Sequence, residues 1–332
     1  KIAYRALVRR KSATRQAIIC LIAILTLTTV TIVGGIVANQ TTQSYVERAI
    51  GRDIIVVSHP EVYEQYVNFL SISIEAKQME PINFLDSKYF IISDSLISNL
   101  SAISGVKADP RIVLNATIYE VQGVIINPEE PAPYTLVGDH RSGEALILGI
   151  QPGRVVNDWL ILGRTLGEGE LDSAVIGDSL ASSMFSDALL QKLRFLDNKT
   201  FQIVGICLDP LNRGNVVYVP LTSLSPLVQR SGYNMVFLKV DPANRSQVLA
   251  KIQEEISGTE LKFFELNEIL GKHLDFLNLT WSSVMLLPLS SLITAVLCLL
   301  SYVMLSIAGQ QREFGIMRAL GAKPKTILKI VF

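Results

Sequence analysis

The chain has 332 residues, a formal net charge of zero, a hydrophobic fraction of 49% and a mean hydropathy of +0.37. It is more apolar than an average soluble domain, and its apolar residues concentrate near the two ends. All acidic residues except Glu313 lie between 40 and 280, so this middle segment is net negative, which argues against a nucleic-acid partner.

The first predicted element is a basic segment at 1–16, interpreted as a cytoplasmic helix lying on the inner face of a membrane. Tyr4, Leu7 and Val8 share one helical face, and the other face carries Arg5 and Arg9. The alternative is that the segment is only the basic, cytosolic end of the helix that follows.

Residues 17–38 are an uncharged apolar run long enough to cross a bilayer as a helix. Its threonines do not forbid a span, because their hydroxyls can bond back to helix carbonyls. A cleaved signal peptide is the alternative. The run is longer than the usual apolar core of such a peptide, and no small-residue cleavage site stands out. We therefore predict transmembrane helix 1 at 17–38.

A second uncharged run predicts transmembrane helix 2 at 281–308, and its length argues against a buried core helix. Pro288 is expected to kink this helix, which neighbouring helices tolerate in a membrane. Basic residues lie before the first run and after the second: Lys1, Arg5, Arg9, Arg10, Lys11, Arg15, and Arg312, Arg318, Lys323, Lys325, Lys329. Because basic flanks stay in the cytoplasm, both ends are predicted to be cytoplasmic and residues 40–280 extracytoplasmic, in a plasma (inner) membrane protein.

Two polar segments with helical spacing connect the spans to the middle of the chain. The first, at 39–52, would extend transmembrane helix 1 by roughly 20 Å and stop at Gly51. The second, at 264–280, precedes transmembrane helix 2. We predict that they form an antiparallel stalk carrying the extracytoplasmic domain.

The extracytoplasmic domain is predicted to be an α+β domain of two subdomains. One comprises 53–127 with 233–263, and the other is an insertion at 128–232 that begins with a proline-rich linker. Alternating or continuous apolar runs predict strands at 53–57, 112–126, 134–137, 145–150, 174–176, 201–206, 216–219 and 235–240. Helical spacing predicts helices at 95–104, 179–185 and 247–256.

No catalytic, cofactor-binding or metal site emerges from the residue pattern. The three histidines, His59, His140 and His273, lack metal-ligand spacing to one another or to a cysteine. The loop Asp139–Ser142 groups reactive side chains, but catalytic partners usually come from distant segments. The glycine-rich loop 163–169 lacks the Gly-Lys-Ser/Thr ending of a phosphate-binding loop. The chain is therefore predicted not to be an enzyme.

Cys207 is the only cysteine predicted outside the spans, so no disulfide is expected there. Four Asn-x-Ser/Thr sequons in this region are candidate N-glycosylation sites: Asn99, Asn115, Asn198 and Asn244. Two more, at Asn39 and Asn278, lie close to the membrane and are weaker candidates. Chance is the alternative, since serine and threonine are common in this chain.

The segment after the second span reads Arg312-Glu313-Phe314-Gly315-Ile316-Met317-Arg318-Ala319-Leu320-Gly321-Ala322. Phe314 and Met317 share one helical face with Leu320 at its edge, Gly321 is placed as a left-handed stop, and Pro324 suits the first turn of a following helix. A short amphipathic helix of this kind can insert into a groove of another protein. The alternative is a helix resting on lipid.

This segment resembles the inner-side motif of the FtsX-like permease family. Further segments resemble, in order, the MacB-like periplasmic core domain: Leu162–Arg164, Ala174–Ala181, Phe201–Ile206 and Tyr218–Leu221. The resemblance extends over nearly the whole chain. It identifies an FtsX-like/MacB-like ABC transporter permease of type VII, the mechanotransmission family.

The resemblance implies a four-span permease, two permease copies or paralogues per complex and two cytosolic ATP-binding subunits, with ATP bound by those partners and no cofactor here. An extracytoplasmic partner protein is also expected. Two of the four spans lie in this sequence, and Lys325–Phe332 resembles the start of a third. The segment 309–332 is thus predicted to join a cytoplasmic coupling element to that start.

The resemblance assigns the ATPase-coupling surface to ten residues: Arg312, Glu313, Gly315, Arg318, Ala319, Leu320, Gly321, Ala322, Lys323 and Lys325. The implied function is coupling of ATP hydrolysis to export, extraction or mechanotransmission. The large two-part domain favours these over a small-domain division regulator. The alternative from another class is a two-span receptor or regulator that works without a motor.

Overall fold

The computed structural model describes residues 11–70, 80–126, 134–152, 159–196, 198–309 and 311–322, with side chains for all of these except 11–17, 20, 306, 307 and 313. The chain forms two compact units. The helical unit comprises Lys1–Thr42 and Asp275–Phe332, and the sheet unit comprises Gln43–Leu274. The predicted interfacial helix at 1–16 and the linker at 128–133 lie largely or wholly outside the described residues.

The first helix, α1, runs without interruption over Lys11–Ile50 and includes the predicted span and its stalk extension. It ends where predicted, because Gly51 has a φ of +94° and donates its N–H to the Glu47 carbonyl. Apolar side chains such as Ile22, Leu27 and Val30 remain more than half exposed along the helix. That exposure is typical of a helix that faces lipid.

The sheet unit contains the following strands: β1 (Ile54–Ser58), β2 (Val106–Val121), β3 (Gly123–Ile126), β4 (Tyr134–Val137), β5 (Ser142–Ile150), β6 (Leu160–Gly163), β7 (Ser173–Gly177), β8 (Lys192–Phe195), β9 (Lys199–Cys207), β10 (Val216–Pro220), β11 (Met235–Val240) and β12 (Lys262–Glu265). Its own helices are α2 (Pro60–Leu70), α3 (Asp94–Ala102), α4 (Asp178–Met184), α5 (Leu221–Val228) and α6 (Arg245–Ile256). Each strand and helix predicted for this region has a counterpart here, whereas α2, α5, β6, β8 and β12 were not predicted.

The main sheet has the strand order β12-β1-β11-β2-β5-β10-β7-β9-β6, and β8 pairs with β2 and β9 beside this path. The long strand β2 joins its two halves. Residues 106–111 pair with β11, and residues 112–119 pair with β5. The strand therefore lies in the first predicted subdomain and pairs with strands of both, and the subdomain boundaries stay a prediction.

The core on one face of this sheet lies beneath α3 and α6. Ile55, Val57 and Leu238 from the strands meet Val248 and Ile252 from α6, all at most 2% exposed. The predicted apolar face of α6 is therefore buried as expected, and the helix ends just before Gly258, which has a φ of +83°.

Three helices follow β12: α7 (Leu266–Val284), α8 (Leu286–Ala308) and α9 (Gln311–Ala319). The interruption at Met285 lies one turn before Pro288, whose ring crowds the Val284 carbonyl and cannot donate to it. The predicted effect of Pro288 is thus confirmed. Within the described residues, two helical stretches are long and apolar enough to cross a membrane, Leu21–Ile50 and Leu266–Leu305.

Candidate functional site

The helix α9 follows the second apolar helix and ends in a Schellman motif. Gly321 has a φ of +90°, a conformation that costs glycine little and other residues more. Its N–H donates to the Arg318 carbonyl at 3.1 Å, and the Ala322 N–H donates to the Met317 carbonyl at 3.0 Å. The predicted left-handed stop is confirmed, and it fixes the direction in which the chain leaves the helix.

The surface of α9 is both apolar and basic. Ile316 is 55% exposed and Leu320 is 83% exposed, one helical turn apart, while Arg312 and Arg318 are also exposed. Gly315 has open space where a Cβ would stand, so no contact within the described part of the chain requires a glycine in the middle of this helix. This surface suits a groove with apolar walls and acidic edges.

The ten predicted coupling residues differ in how much of them the structure describes. Seven are described with their side-chain environments: Arg312, Gly315, Arg318, Ala319, Leu320, Gly321 and Ala322. The side chain of Glu313 is outside the described part of the structure, as are Lys323 and Lys325. Phe314 and Met317, the predicted apolar face, are half-buried.

The two apolar helices of the helical unit contact each other through small and polar residues. Thr28 is buried, and its Oγ1 lies 3.0 Å from the Ser291 Oγ. The flexible end of the Met285 side chain packs against Gly35. Sequence reasoning missed these contacts.

The polar loop Asp139–Ser142 is held by a buried carboxylate. Glu120 is 3% exposed and accepts hydrogen bonds from the backbone N–H groups of Asp139 and Arg141, each at 2.9 Å. These bonds satisfy the buried charge and fix the loop. His140 sits in this loop at a φ of +56°. Within the described residues, no cluster of three metal-ligating side chains occurs.

The glycine-rich loop 163–169 is held by hydrogen bonds to the neighbouring Glu170. The Gly167 N–H donates to Glu170 at 3.2 Å, and the Arg164 Nη2 lies 2.7 Å from the other oxygen of the same carboxylate. The Arg164 guanidinium, helped by Ser173 and the Gly167 N–H, lowers the pKa of the Glu170 carboxyl from 4.5 to about 2.

This lowered pKa gives an acid dependence to the stability of the sheet unit. The unfolded chain binds a proton at Glu170 near pH 4.5, whereas the folded chain does so only near pH 2. The stabilisation is therefore complete above 4.5 and is lost as the pH falls towards 2. We expect Glu170→Gln to lower the free energy of unfolding at about pH 7 and to lose most of that difference only as the pH falls to about 2.

Chemical denaturation at the two pH values measures this effect. Glu168→Gln is the matched control, since Glu168 lies in the same loop with an exposed side chain, and it should keep the acid dependence of the wild type. A constant difference between Glu170→Gln and wild type across the range would contradict the assignment.

Two family models match the sequence in series. Residues 18–255 match the MacB-like periplasmic core domain, and residues 285–332 match the FtsX-like permease C-terminal. The chain belongs to the FtsX-like/MacB-like ABC permease family. The permease is thus a membrane protein whose sheet unit is an extracytoplasmic domain, as the resemblance implied. Components of this family are not themselves catalytic.

Solved structures similar to the permease include two domains from outside the cytoplasm. The periplasmic region of MacB from Actinobacillus actinomycetemcomitans has 13% identity and a TM-score of 0.44, with 68% of this permease and 94% of that chain covered. The extracellular domain of the noncanonical ABC-type transporter YknZ from Gram-positive bacteria has 15% identity and a TM-score of 0.38, with 52% and 89% covered. No curated protein matches the permease sequence.

The four candidate glycosylation sites of the permease lie on its extracytoplasmic domain. Asn99, Asn115, Asn198 and Asn244 all have exposed side chains, and the amide of Asn99 donates to Glu255 at 3.0 Å. Accessibility is a requirement for modification, and glycosylation itself stays a prediction.

Proposed function

We propose that this permease couples ATP hydrolysis by a separate cytosolic ATP-binding subunit to motion of its extracytoplasmic domain. The observation that carries the proposal is α9, a short helix directly after the second apolar helix, with exposed Ile316, Leu320 and Arg318 and a Schellman end at Gly321. Such a helix presents a fixed surface to a partner protein. ATP would be bound by the partner, and the permease would need no cofactor.

In this mechanism the ATP-binding subunits close on ATP and push on Arg312–Lys325. The apolar side chains of α9 fill a groove, while its basic residues and the following Lys323 and Lys325 meet acidic groups at the rim. No bond is made or broken in the permease. Its contribution is displacement, which needs stiff elements and an interface with two stable arrangements.

Two features support transmission of that displacement through the chain. The hydrogen bond between Thr28 and Ser291 and the close approach of Met285 to Gly35 join the two membrane helices. At the other end of α1, Tyr45 meets the Trp159 ring edge-on at 5.7 Å, and the Arg48 guanidinium lies 5.6 Å from the same ring. The helix is thereby attached to the extracytoplasmic domain through a large aromatic side chain.

The proposal includes the arrangement in the plasma membrane. The basic residues flanking the two spans support cytoplasmic ends and an extracytoplasmic segment at 40–280. A second permease copy or paralogue completes the complex, and an extracytoplasmic protein is a further expected partner. Labelling of single cysteines from either side of the membrane tests this topology. Labelling of α9 and the sheet unit from the same side would contradict it.

The alternative function is a membrane receptor or regulator that works without a motor. Co-purification from native membranes separates the two proposals. We expect an ATP-binding subunit to co-purify with the wild type and to be lost from Leu320→Asp, because that change introduces a charge into the apolar surface of α9. Ile161→Asp is the matched control on the extracytoplasmic domain, where an exposed isoleucine is replaced in the same way.

Absence of any ATP-binding subunit from the wild-type preparation would support the receptor. Retention of the subunit by Leu320→Asp would show that α9 is not the contact. Three coupled functions start from the same ATP-driven displacement of α9: export, extraction of an envelope component and mechanotransmission. They differ only in what the extracytoplasmic domain moves.

A further inference from the structure

Both stalk segments meet the sheet unit at one edge of its sheet. The strand β1 follows α1 after three residues, and β12 leads directly into α7. The two strands pair antiparallel, with Ile55 opposite Glu265, so the start of β1 and the end of β12 lie at the same end of the edge. The last turn of α1 and the first turn of α7 are therefore neighbours by topology.

Four side chains meet where the two helices join the sheet. Asn267 in α7 accepts a hydrogen bond from the Asp53 N–H at 3.0 Å and donates its amide to the Asp53 carboxylate at 3.2 Å. Arg245 at the start of α6 donates to that carboxylate at 3.4 Å and to Glu265 at 2.6 Å. We call Asp53, Arg245, Glu265 and Asn267 the clamp.

The clamp also reaches the interior of the sheet. Asp53 stands just after α1 at a φ of +60°, which is unusual for a residue other than glycine. In this conformation its carbonyl accepts the Val240 N–H at 3.1 Å, at the end of β11. One residue thus bonds to α7 through its N–H and side chain, to α6 through its side chain and to β11 through its carbonyl.

The burial of the clamp distinguishes it from an ordinary surface ion pair. The side chains of Arg245, Asp53 and Glu265 are 23%, 25% and 36% exposed, whereas those of the pair Lys272–Glu268 on α7 are 73% and 75% exposed. A shared guanidinium between two carboxylates, with an amide completing the set, resists separation more than one exposed pair does.

We propose that the clamp residues are positioning residues for coupling, which make the end of α1 and the start of α7 move as one body with the edge of the sheet. This inference rests on the proposed function, because it concerns how a displacement from the membrane reaches the domain. Without the clamp, the short connection between Ile50 and Ile54 becomes a hinge at which the displacement is lost.

Distance measurement in the full-length permease tests the clamp without any ATPase. Spin labels at Ser44 and Lys272 report on the two helix ends, with Cys20 and Cys298 replaced by serine and the buried Cys207 retained. We expect a single narrow distance distribution for the wild type and a broadened one for Arg245→Met and for Asn267→Ala. An unchanged distribution in both variants would overturn the proposal.

A second measurement asks whether the clamp matters for coupling rather than for folding alone. With the ATP-binding subunit present, Arg245→Met should lose the stimulation of ATPase activity while the melting temperature of the domain changes little. Arg194→Met is the matched control, because Arg194 also lies at the domain surface but contacts the Tyr119 ring instead. It should keep both the narrow distribution and the stimulation.

The two measurements distinguish failure of the clamp proposal from failure of the proposed function. If Arg245→Met lowers the melting temperature but keeps full stimulation, the clamp is only structural and the inference is overturned. If the wild type itself shows no stimulation, the proposed function fails, and the distance distributions alone then decide whether the clamp holds the helix ends together.

Discussion

Replacing Gly321 with proline is expected to abolish the stimulation of ATPase activity in the reconstituted complex. Proline holds φ near −65°, whereas Gly321 has a φ of +90°. It also lacks the N–H that Gly321 donates to the Arg318 carbonyl, and it disfavours the helical conformation of Leu320 before it. The Schellman end would be lost, and the chain would leave α9 in another direction.

Arg318→Glu is expected to have the same result by another route. It replaces a cation in the last turn of α9, where the helix dipole favours positive charge by about 0.3–1 kcal/mol, with an anion. It also reverses the charge presented to an acidic rim. The measurement is ATPase activity of the complex in lipid, with and without permease, alongside a melting curve of the extracytoplasmic domain.

Gly258→Pro is the matched control for Gly321→Pro. Gly258 also follows a helix, has a φ of +83° and has open space around it, but it lies in the extracytoplasmic domain. It should disturb the end of α6 and leave the stimulation in place. Normal stimulation by both Gly321→Pro and Arg318→Glu would remove α9 from the coupling mechanism.

The parts of this structure that the sequence predicts are local. The Schellman end depends on bonds between residues three and five apart, so the pattern Arg318-Ala319-Leu320-Gly321 is enough to anticipate it. The strands of the sheet unit are short apolar runs between turn residues, and most of them lie where the alternation predicts. The length of the two apolar runs is likewise enough to predict the membrane helices.

One local element was missed although its signal was present. The helix α2 begins with Pro60 and Glu61, a typical helix start, and buries Val62, Tyr66 and Leu70 at intervals of four. The strand at 53–57 was predicted and no helix was placed after it, although Pro60 opens one. The apolar run of the preceding strand, Ile54–Ser58, took precedence in the prediction.

The other misses are contacts between distant residues. Asn234 is fully buried, and its side-chain amide makes two hydrogen bonds to the backbone of Val113, 121 positions away. It accepts one from the Val113 N–H and donates the other to the Val113 carbonyl. The clamp residues Asp53 and Asn267 are 214 positions apart. Nothing in the composition of either segment selects these pairs, because only the folded sheet brings their elements together. The pairing of β2 with both halves of the sheet was missed for the same reason.

The largest expected loss of stability comes from removing Arg111, which lies at the centre of β2 with its side chain 2% exposed. Its guanidinium donates to the Asp109 Oδ2 at 2.8 Å from Nη2 and at 3.2 Å from Nε, and lies 3.9 Å from the centre of the Phe237 ring. The other Asp109 oxygen is buried and has no hydrogen-bond partner among the residues that the structure describes. The carboxylate therefore depends on Arg111.

Arg111→Ala is expected to lower the free energy of unfolding of the extracytoplasmic domain by about 3–5 kcal/mol, since it leaves an uncompensated charge in the interior. For a domain of this size the melting temperature should fall by roughly 6–20 °C. Circular dichroism of the full-length permease in detergent measures the shift. The exposed Arg194→Met loses a contact with the Tyr119 ring at 5.2 Å and a long, exposed hydrogen bond to Asn198 at 3.5 Å, and should stay within about 0.5 kcal/mol of wild type.

A double variant separates the unpaired charge from the lost contacts. Arg111→Met with Asp109→Leu removes both charges and keeps apolar volume, so it should be more stable than Arg111→Met alone. The order follows because the interior of β2 tolerates an apolar pair better than one charge without its partner. If the double variant were the less stable of the two, the value of Arg111 would lie in its contact with Phe237 rather than in neutralising Asp109.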